Sequence, residues 1–283
     1  MTALEGTLGF IGGGNMAEAM TGAVISARVF DPKDIRICDI DAEKLEHLAK
    51  KYGVGICDNP ADLFSSSYVV NLSVKPQVMG SVLEGLARSP GFPFQGRKQI
   101  MSIAAGVPLS RMEKLLYADL NEAQRTNMPL VRVMPNTPSL VLAGMSGYCL
   151  NAMADESDAR TAETILCSMG QALRLEERFM DAVTAVSGSG PAYFFLMIES
   201  MVEGGLRLGL TRDQALTLSV QTMKGAAALL EQSQEDPEIL RKKVTSPGGT
   251  TEAAIRVFTE RGMKDTVIEA LAAAARRAEE LAG

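Results

Sequence analysis

The chain has one histidine, His47, and four cysteines, Cys38, Cys57, Cys149 and Cys167. His47 lies in the polar helical pattern of residues 41–51, which suits a solvated surface role. That leaves no histidine for a Ser-His-Asp triad or for a histidine general acid, so any proton donor must be another group. The cysteines show no Cys-x-x-Cys spacing, so no metal site and no disulfide framework is read here. They read as reduced, small apolar side chains of a cytoplasmic protein. No apolar run approaches the roughly 20 residues that a membrane helix needs. Glu5, with no basic stretch around it, reads against a secretory leader. Lysines and arginines form no block, and a net charge of −6 with a pI near 5.1 argues against a nucleic-acid partner.

What is present is ordinary for a soluble enzyme. Hydrophobic residues make up 46% and charged residues 22% of 283, enough for one large or two ordinary domains. The most informative stretch is Thr245-Ser246-Pro247-Gly248-Gly249-Thr250-Thr251, followed by a helical pattern over 252–261. A Ser or Thr oxygen followed by Pro is how a helix starts, and two glycines leave backbone N–H groups bare. Bare N–H groups at a helix N-terminus hold a carboxylate or phosphate. The same residues also read as a capped helix after a turn.

The second motif opens the chain. An apolar run ending at Ile11 leads into Gly12-Gly13-Gly14-Asn15-Met16-Ala17 and a helical pattern over 15–27. This is Gly-x-Gly-x-x-Ala in strand–turn–helix order, the dinucleotide fingerprint. Gly12 makes the tight turn, Gly14 lets a pyrophosphate approach the backbone, and Ala17 lets helix and strand pack closely. Asp39 ends the second strand-like run, where an acid hydrogen-bonds the adenosine ribose and repels a 2′-phosphate. NADH is therefore favoured over NADPH; the other reading of Asp39 is a loop acid before the next helix.

Strand-like runs cover 7–11, 35–38, 54–57, 68–74, 99–103 and 131–134. Helical patterns cover 15–27, 42–51, 61–64, 78–86 and 109–118. Such alternation predicts a parallel sheet covered on both faces. A further extended segment (147–151), a helix (156–169) and a short strand (172–175) follow. Beyond 181 the strand signals stop, and helices are predicted over 181–208, 212–232, 237–244, 251–261 and 264–281. The predicted fold is therefore α/β: a Rossmann domain over 1–176 and an all-helical domain over 177–283. The apolar run 193–208 reads as a subunit interface or as a central buried helix.

At the carboxyl end of the fourth strand stands Val74-Lys75-Pro76-Gln77, where Lys75 reads either as a ribose or phosphate contact or as a surface lysine. Ser102-Ile103-Ala104-Ala105-Gly106 leaves room for a flat ring. Arg132-Val133-Met134-Pro135-Asn136-Thr137-Pro138 makes a rigid polar-lipped loop. Ser187-Gly188-Ser189-Gly190-Pro191-Ala192-Tyr193 lets another backbone come close.

In this order and combination the motifs resemble the pyrroline-5-carboxylate reductase family over nearly the whole chain. The resemblance implies a Rossmann domain followed by a helical domain that interlocks two subunits into a homodimer, often further assembled as a decamer of five dimers. It implies hydride transfer from NADPH or NADH to the C=N carbon of L-1-pyrroline-5-carboxylate, giving L-proline, the final step of proline biosynthesis. The substrate carboxylate would rest on Ser246, Gly248, Gly249, Thr250 and Thr251. The Thr251 hydroxyl would contact the ring nitrogen, orienting an iminium or relaying a proton. Glu177 matches an acidic substrate contact that would favour the charged imine. Cofactor contacts carry over to Ile11, Gly12, Gly13, Gly14, Asn15, Met16, Ala17, Asp39, Ser73, Val74, Lys75, Pro76, Ala104 and Ala105. Asn59 joins them, although its spacing to Lys75 is one residue longer than usual. Four residues depart from the pattern. Asp39 stands where many relatives carry Ser, Arg or Asn. Asn71 and Ser73 are polar residues inside a strand that is usually apolar. Lys243 replaces an Asn, so that Asn's role is not carried over. A β-hydroxyacid dehydrogenase would need a lysine one helical turn past its Gly-x-Gly, yet none follows Gly190 before Lys224. A non-enzymatic, dinucleotide-binding regulator is opposed by the intact Thr251 and glycine loop.

Overall fold

The computed structural model describes residues 3–282. Eight strands form one sheet: β1 (Leu8–Ile11), β2 (Ile35–Cys38), β3 (Gly55–Ile56), β4 (Val69–Leu72), β5 (Gln99–Ser102), β6 (Leu130–Met134), β7 (Gly144–Leu150) and β8 (Gly170–Arg174). Their spatial order is β3-β2-β1-β4-β5-β6-β7-β8. Strands β1 to β6 pair in parallel, β7 runs antiparallel to β6, and β8 is parallel to β7. The strand order reverses between β1 and β4. That reversal is the switch point outside whose carboxyl ends a dinucleotide lies in doubly wound sheets.

Helices cover both faces because the parallel strands are apolar on both sides. On one face α1 (Asn15–Ser26), α2 (Ala42–Tyr52) and, farther along the chain, residues 156–167 bury Met20, Val24, Leu48 and Ile165 against Phe10, Ile37 and Val133. On the other, α3 (Pro60–Ser66), α4 (Pro76–Ala87) and α5 (Leu109–Leu116) bury Phe64, Met79, Leu83 and Met112 against Val70, Leu72 and Ile100. A short α6 (Glu122–Thr126), opened by an Asn121–Gln124 capping box, was not evident from apolar periodicity because none of its residues is buried. Then come α7 (Glu156–Cys167) and α8 (Met180–Val183). Buried Asn71 finds its partners just past β4 and on α1: the Ser73 hydroxyl donates to its Oδ1 at 2.8 Å, and its Nδ2 lies 3.0 Å from Met20 Sδ.

The remaining helices are α9 (Gly190–Arg207), α10 (Arg212–Ser233), α11 (Pro237–Lys243), α12 (Thr250–Glu260) and α13 (Met263–Ala282). The single helix expected over 181–208 is instead broken. After α8 a π-helical turn spans Thr184–Gly188, with Ser189 N–H donating to the Thr184 carbonyl. Pro191 has no N–H to give the carbonyl four residues back. That carbonyl, of Ser187, accepts from Asn136 Nδ2 at 3.1 Å. By packing, the chain divides into one unit of residues 1–189 with 274–283 and another of 190–273. In the second unit α9 packs on α10. Phe194, Phe195, Leu196 and Leu218 remain more than half exposed.

Candidate active site

The glycine loop is built by the ends of three strands. Gly12 N–H donates to the Cys38 carbonyl and Ser73 N–H to the Ile11 carbonyl, both at 2.8 Å, which locks the tips of β1, β2 and β4 together. Gly12 has φ +105°, and a Cβ there would lie 2.7 Å from the Ser73 carbonyl oxygen. Only glycine fits on both counts. Gly14 caps α1 without any side-chain hydrogen bond, and the first helical donor is Glu18 N–H to the Gly14 carbonyl. The N–H groups of Asn15, Met16 and Ala17 precede it and have no helical acceptor. A Cβ on Gly14 would meet nothing within 4 Å. Bare donors facing open space at a helix N-terminus fit the pyrophosphate of a dinucleotide.

Asp39 is engaged within this loop. Its Oδ2 accepts Gly13 N–H at 2.6 Å and its Oδ1 accepts Asp41 N–H at 2.9 Å. Ile40 beside it is fully exposed. Lys75 is exposed and forms the N-cap of α4 without a side-chain cap bond. Asn59 caps α3, accepting Asp62 N–H at 2.9 Å and donating to Asp62 Oδ2. Ala104 is buried, and its N–H reaches Ser102 Oγ at 3.4 Å. Neither neighbouring thiol is a nucleophile at neutral pH. Burial is the main cause that pushes Cys38 up to about 11 and Cys149 up to about 12. Among the described residues, no three His, Cys, Asp or Glu side chains gather as a metal site. No helix there is long and apolar enough to cross a membrane.

Glu177 opens a short 3-10 turn, Glu177–Phe179. Its Oε1 accepts Leu109 N–H at 2.7 Å and Arg132 Nη1 at 3.2 Å. Arg132 also approaches Asp181 Oδ1 with Nη2 at 3.5 Å. Motif reading assigned no role to Arg132 or Asp181. The signal that marks Arg132 is a lone guanidinium inside an otherwise apolar strand, which needs a charge partner when buried.

In the second unit, the Ser-Pro pair does not cap α12 as expected. Gly249 N–H donates to the Ser246 carbonyl at 3.0 Å, and Gly248 has φ +70°. That is a turn with Pro at its second and Gly at its third position, the chemistry of a type II turn. Thr245 Oγ1 bonds back to the Arg241 carbonyl. The helix therefore starts at Thr250 with Gly249 as N-cap and no side-chain cap. The first helical donor is Ala253 N–H to the Gly249 carbonyl, so Thr250, Thr251 and Glu252 keep bare N–H groups. Gly248 N–H is taken by Glu252 Oε2 at 2.8 Å. Thr251, half-buried, is in the first turn.

Two sequence families match these two halves. One described as NADP oxidoreductase, coenzyme F420-dependent, matches residues 7–106; one described as pyrroline-5-carboxylate reductase dimerisation matches residues 177–281. A pyrroline-5-carboxylate reductase of Synechocystis is 39% identical, with 97% of each chain covered. One of Pseudomonas aeruginosa is 41% identical, over 97% of this chain and 96% of that one. Among solved structures, the Coxiella burnetii pyrroline-5-carboxylate reductase superposes with a TM-score of 0.88 at 35% identity, covering 98% of this chain and 99% of that one. The Plasmodium falciparum pyrroline carboxylate reductase, solved with NADP bound, gives 0.86 at 27% identity with both chains fully covered. With relatives this similar along its whole length, the chain belongs to the pyrroline-5-carboxylate reductase family.

Proposed function

We propose that the protein reduces the cyclic imine of L-1-pyrroline-5-carboxylate to L-proline with a nicotinamide dinucleotide, the last step of proline biosynthesis. The observation that carries the reading is the Gly249-capped start of α12, with bare N–H groups at Thr250, Thr251 and Glu252 and a threonine hydroxyl in the same turn. The substrate carboxylate rests on those donors, beside the turn Ser246, Gly248 and Gly249 whose two glycine N–H groups are paired within the chain, and is favoured by the helix dipole. The ring nitrogen then meets Thr251 Oγ1. A threonine hydroxyl is a weak acid, so its task is to hold the proton of an iminium in place or to relay one from water. When bound, the nicotinamide supplies the hydride that the ring carbon takes up. Asn15, Met16 and Ala17 bind the pyrophosphate through backbone N–H groups. Ile11, Gly12, Gly13, Gly14, Asn59, Ser73, Val74, Lys75, Pro76, Ala104 and Ala105 complete the dinucleotide contacts. Asp39, with Asp41 and Glu43 near it in sequence, makes the adenosine side acidic and favours NADH over NADPH.

We take the working form as a cytoplasmic homodimer, with five dimers as the larger assembly. The exposed apolar side chains of α9 and α10 support the dimer; the larger ring follows from family resemblance alone. We place the domain division at 176/177; the dimerisation family match spans 177–281, and packing divides the chain at 189/190. The test is steady-state oxidation of NADH and NADPH by pyrroline-5-carboxylate, side by side. Turnover with a higher kcat/KM for NADH is expected. Absence of turnover with either would end the reading, and preference for NADPH would end the role given to Asp39.

A further inference from the structure

We propose that Arg132 and Glu177 form a positioning clamp for the loop between β5 and α5, and that Glu177 acts through this loop and not by touching the substrate. The proposal rests on the reductase reading of the site. Arg132 projects from β6 with its side chain 7% exposed, bridging two acids: Nη1 to Glu177 Oε1 at 3.2 Å and Nη2 to Asp181 Oδ1 at 3.5 Å. That Asp181 oxygen is buried and makes no hydrogen bond, so the guanidinium is what compensates it. The carboxylate of Glu177 thus shares one buried cation with Asp181, which leaves the cluster at a net −1 and offsets part of the Glu177 field.

The same Glu177 oxygen accepts Leu109 N–H at 2.7 Å. Leu109 is the first residue of α5, whose N-cap, Pro108, offers no side-chain acceptor. Glu177 therefore serves as the missing cap from a distant part of the chain. The loop it pins carries Ala104 and Ala105, the residues assigned to the nicotinamide. Its other end is fixed by Ile103 N–H to the Leu72 carbonyl at 3.2 Å. Clamping both ends sets how closely the loop approaches the ring, and misplacement by about 1 Å can cost about 100-fold in rate.

Five variants test this: Glu177→Gln, Glu177→Ala, Arg132→Lys, Arg132→Met and the Arg132→Met/Glu177→Gln double variant. Each is assayed for kcat, for both KM values, and for dinucleotide Kd without substrate. Glutamine keeps an oxygen for Leu109 N–H, whereas lysine cannot bridge two acids with a planar fork. Glu177→Ala should weaken dinucleotide binding and lower kcat by about 10- to 100-fold, leaving the KM for the imine unchanged. Glu177→Gln should recover most of both, and the double variant should be no worse than Arg132→Met alone. Glu177→Gln and Arg132→Lys are the mild variants that keep the test readable if Glu177→Ala or Arg132→Met fails to fold. A Glu177→Gln enzyme with an unchanged dinucleotide Kd and a sharply raised KM for the imine would overturn the clamp in favour of direct substrate contact. So would a Glu177→Ala enzyme with wild-type kinetics, or additive losses in the double variant. If the wild-type chain does not turn over, the reductase reading fails by itself, and the dinucleotide Kd values still decide the clamp.

Discussion

In the proposed reaction Thr251 handles the proton and Asp39 selects the dinucleotide, and each role makes a prediction at its own position. Truncating Thr251 to alanine removes a hydroxyl and leaves the backbone N–H donors of α12 in place. The expected result is a fall in kcat of about 100-fold or more, the range for a lost proton-handling group, with dinucleotide Kd unchanged; an unaltered kcat would end the proton role. Asp39 has one observed task and one proposed task. Its carboxylate holds Gly13 N–H at 2.6 Å, and its charge opposes a 2′-phosphate. In Asp39→Asn the one side-chain oxygen can keep Gly13 N–H, while the charge and the acceptor for Asp41 N–H are gone. The ratio of kcat/KM for NADPH over NADH should then rise by about tenfold, roughly 1.4 kcal/mol of removed repulsion. If both cofactors weaken equally, Asp39 holds the loop and does not select.

At the scale of elements, the turn 246–249 and the start of α12 are where the proposed reading seats the substrate carboxylate. Gly248 N–H is already paired with Glu252 Oε2 at 2.8 Å, so an incoming carboxylate meets an internal one on the same turn. Glu252→Gln should lower the KM for pyrroline-5-carboxylate by a few-fold, since like charges nearby disfavour each other, with kcat little changed; a raised KM would mean that Glu252 supports the turn and does not compete. The glycines of both anion loops were legible in sequence because Gly12 at φ +105° and Gly248 at φ +70° need backbone freedom that leaves a compositional mark. The cap of α12 was not. Ser246-Pro247 is equally good chemistry for a helix start and for a type II turn, and local residues do not choose between them. The clamp on α5 was invisible for a different reason. Leu109 and Glu177 are 68 positions apart, and no local pattern signals a cap delivered over that distance. The break between α8 and α9 was readable in hindsight from Pro191, whose missing N–H ends the regular ladder.

Across the whole molecule, the alternation of strands and helices up to β6 was enough for the doubly wound plan, since runs apolar on both faces fit only a sheet covered twice. Quaternary structure asks a different question: what covers the second unit. A buried central helix would show a closed apolar surface, yet Phe194, Phe195 and Leu196 of α9 are 61%, 63% and 63% exposed, with Leu216 and Leu218 of α10 at 43% and 57%. The groove between those two helices, about 410 Å³, is lined by Phe195, Ile198, Val202, Leu206 and Leu216, with Glu199, Glu203 and Arg212 among them. Covering one such aromatic is worth roughly 1.5–3 kcal/mol, and placing a charge in its position both forfeits that and buries an unpaired ion. Phe195→Glu should therefore shift the species seen by size-exclusion chromatography with light scattering from dimer or larger to a monomer of about 30.2 kDa, while the first unit keeps its dinucleotide affinity. Wild-type protein at the monomer mass would refute the dimer outright, and a Phe195→Glu protein that stays dimeric would move the interface off this face of α9.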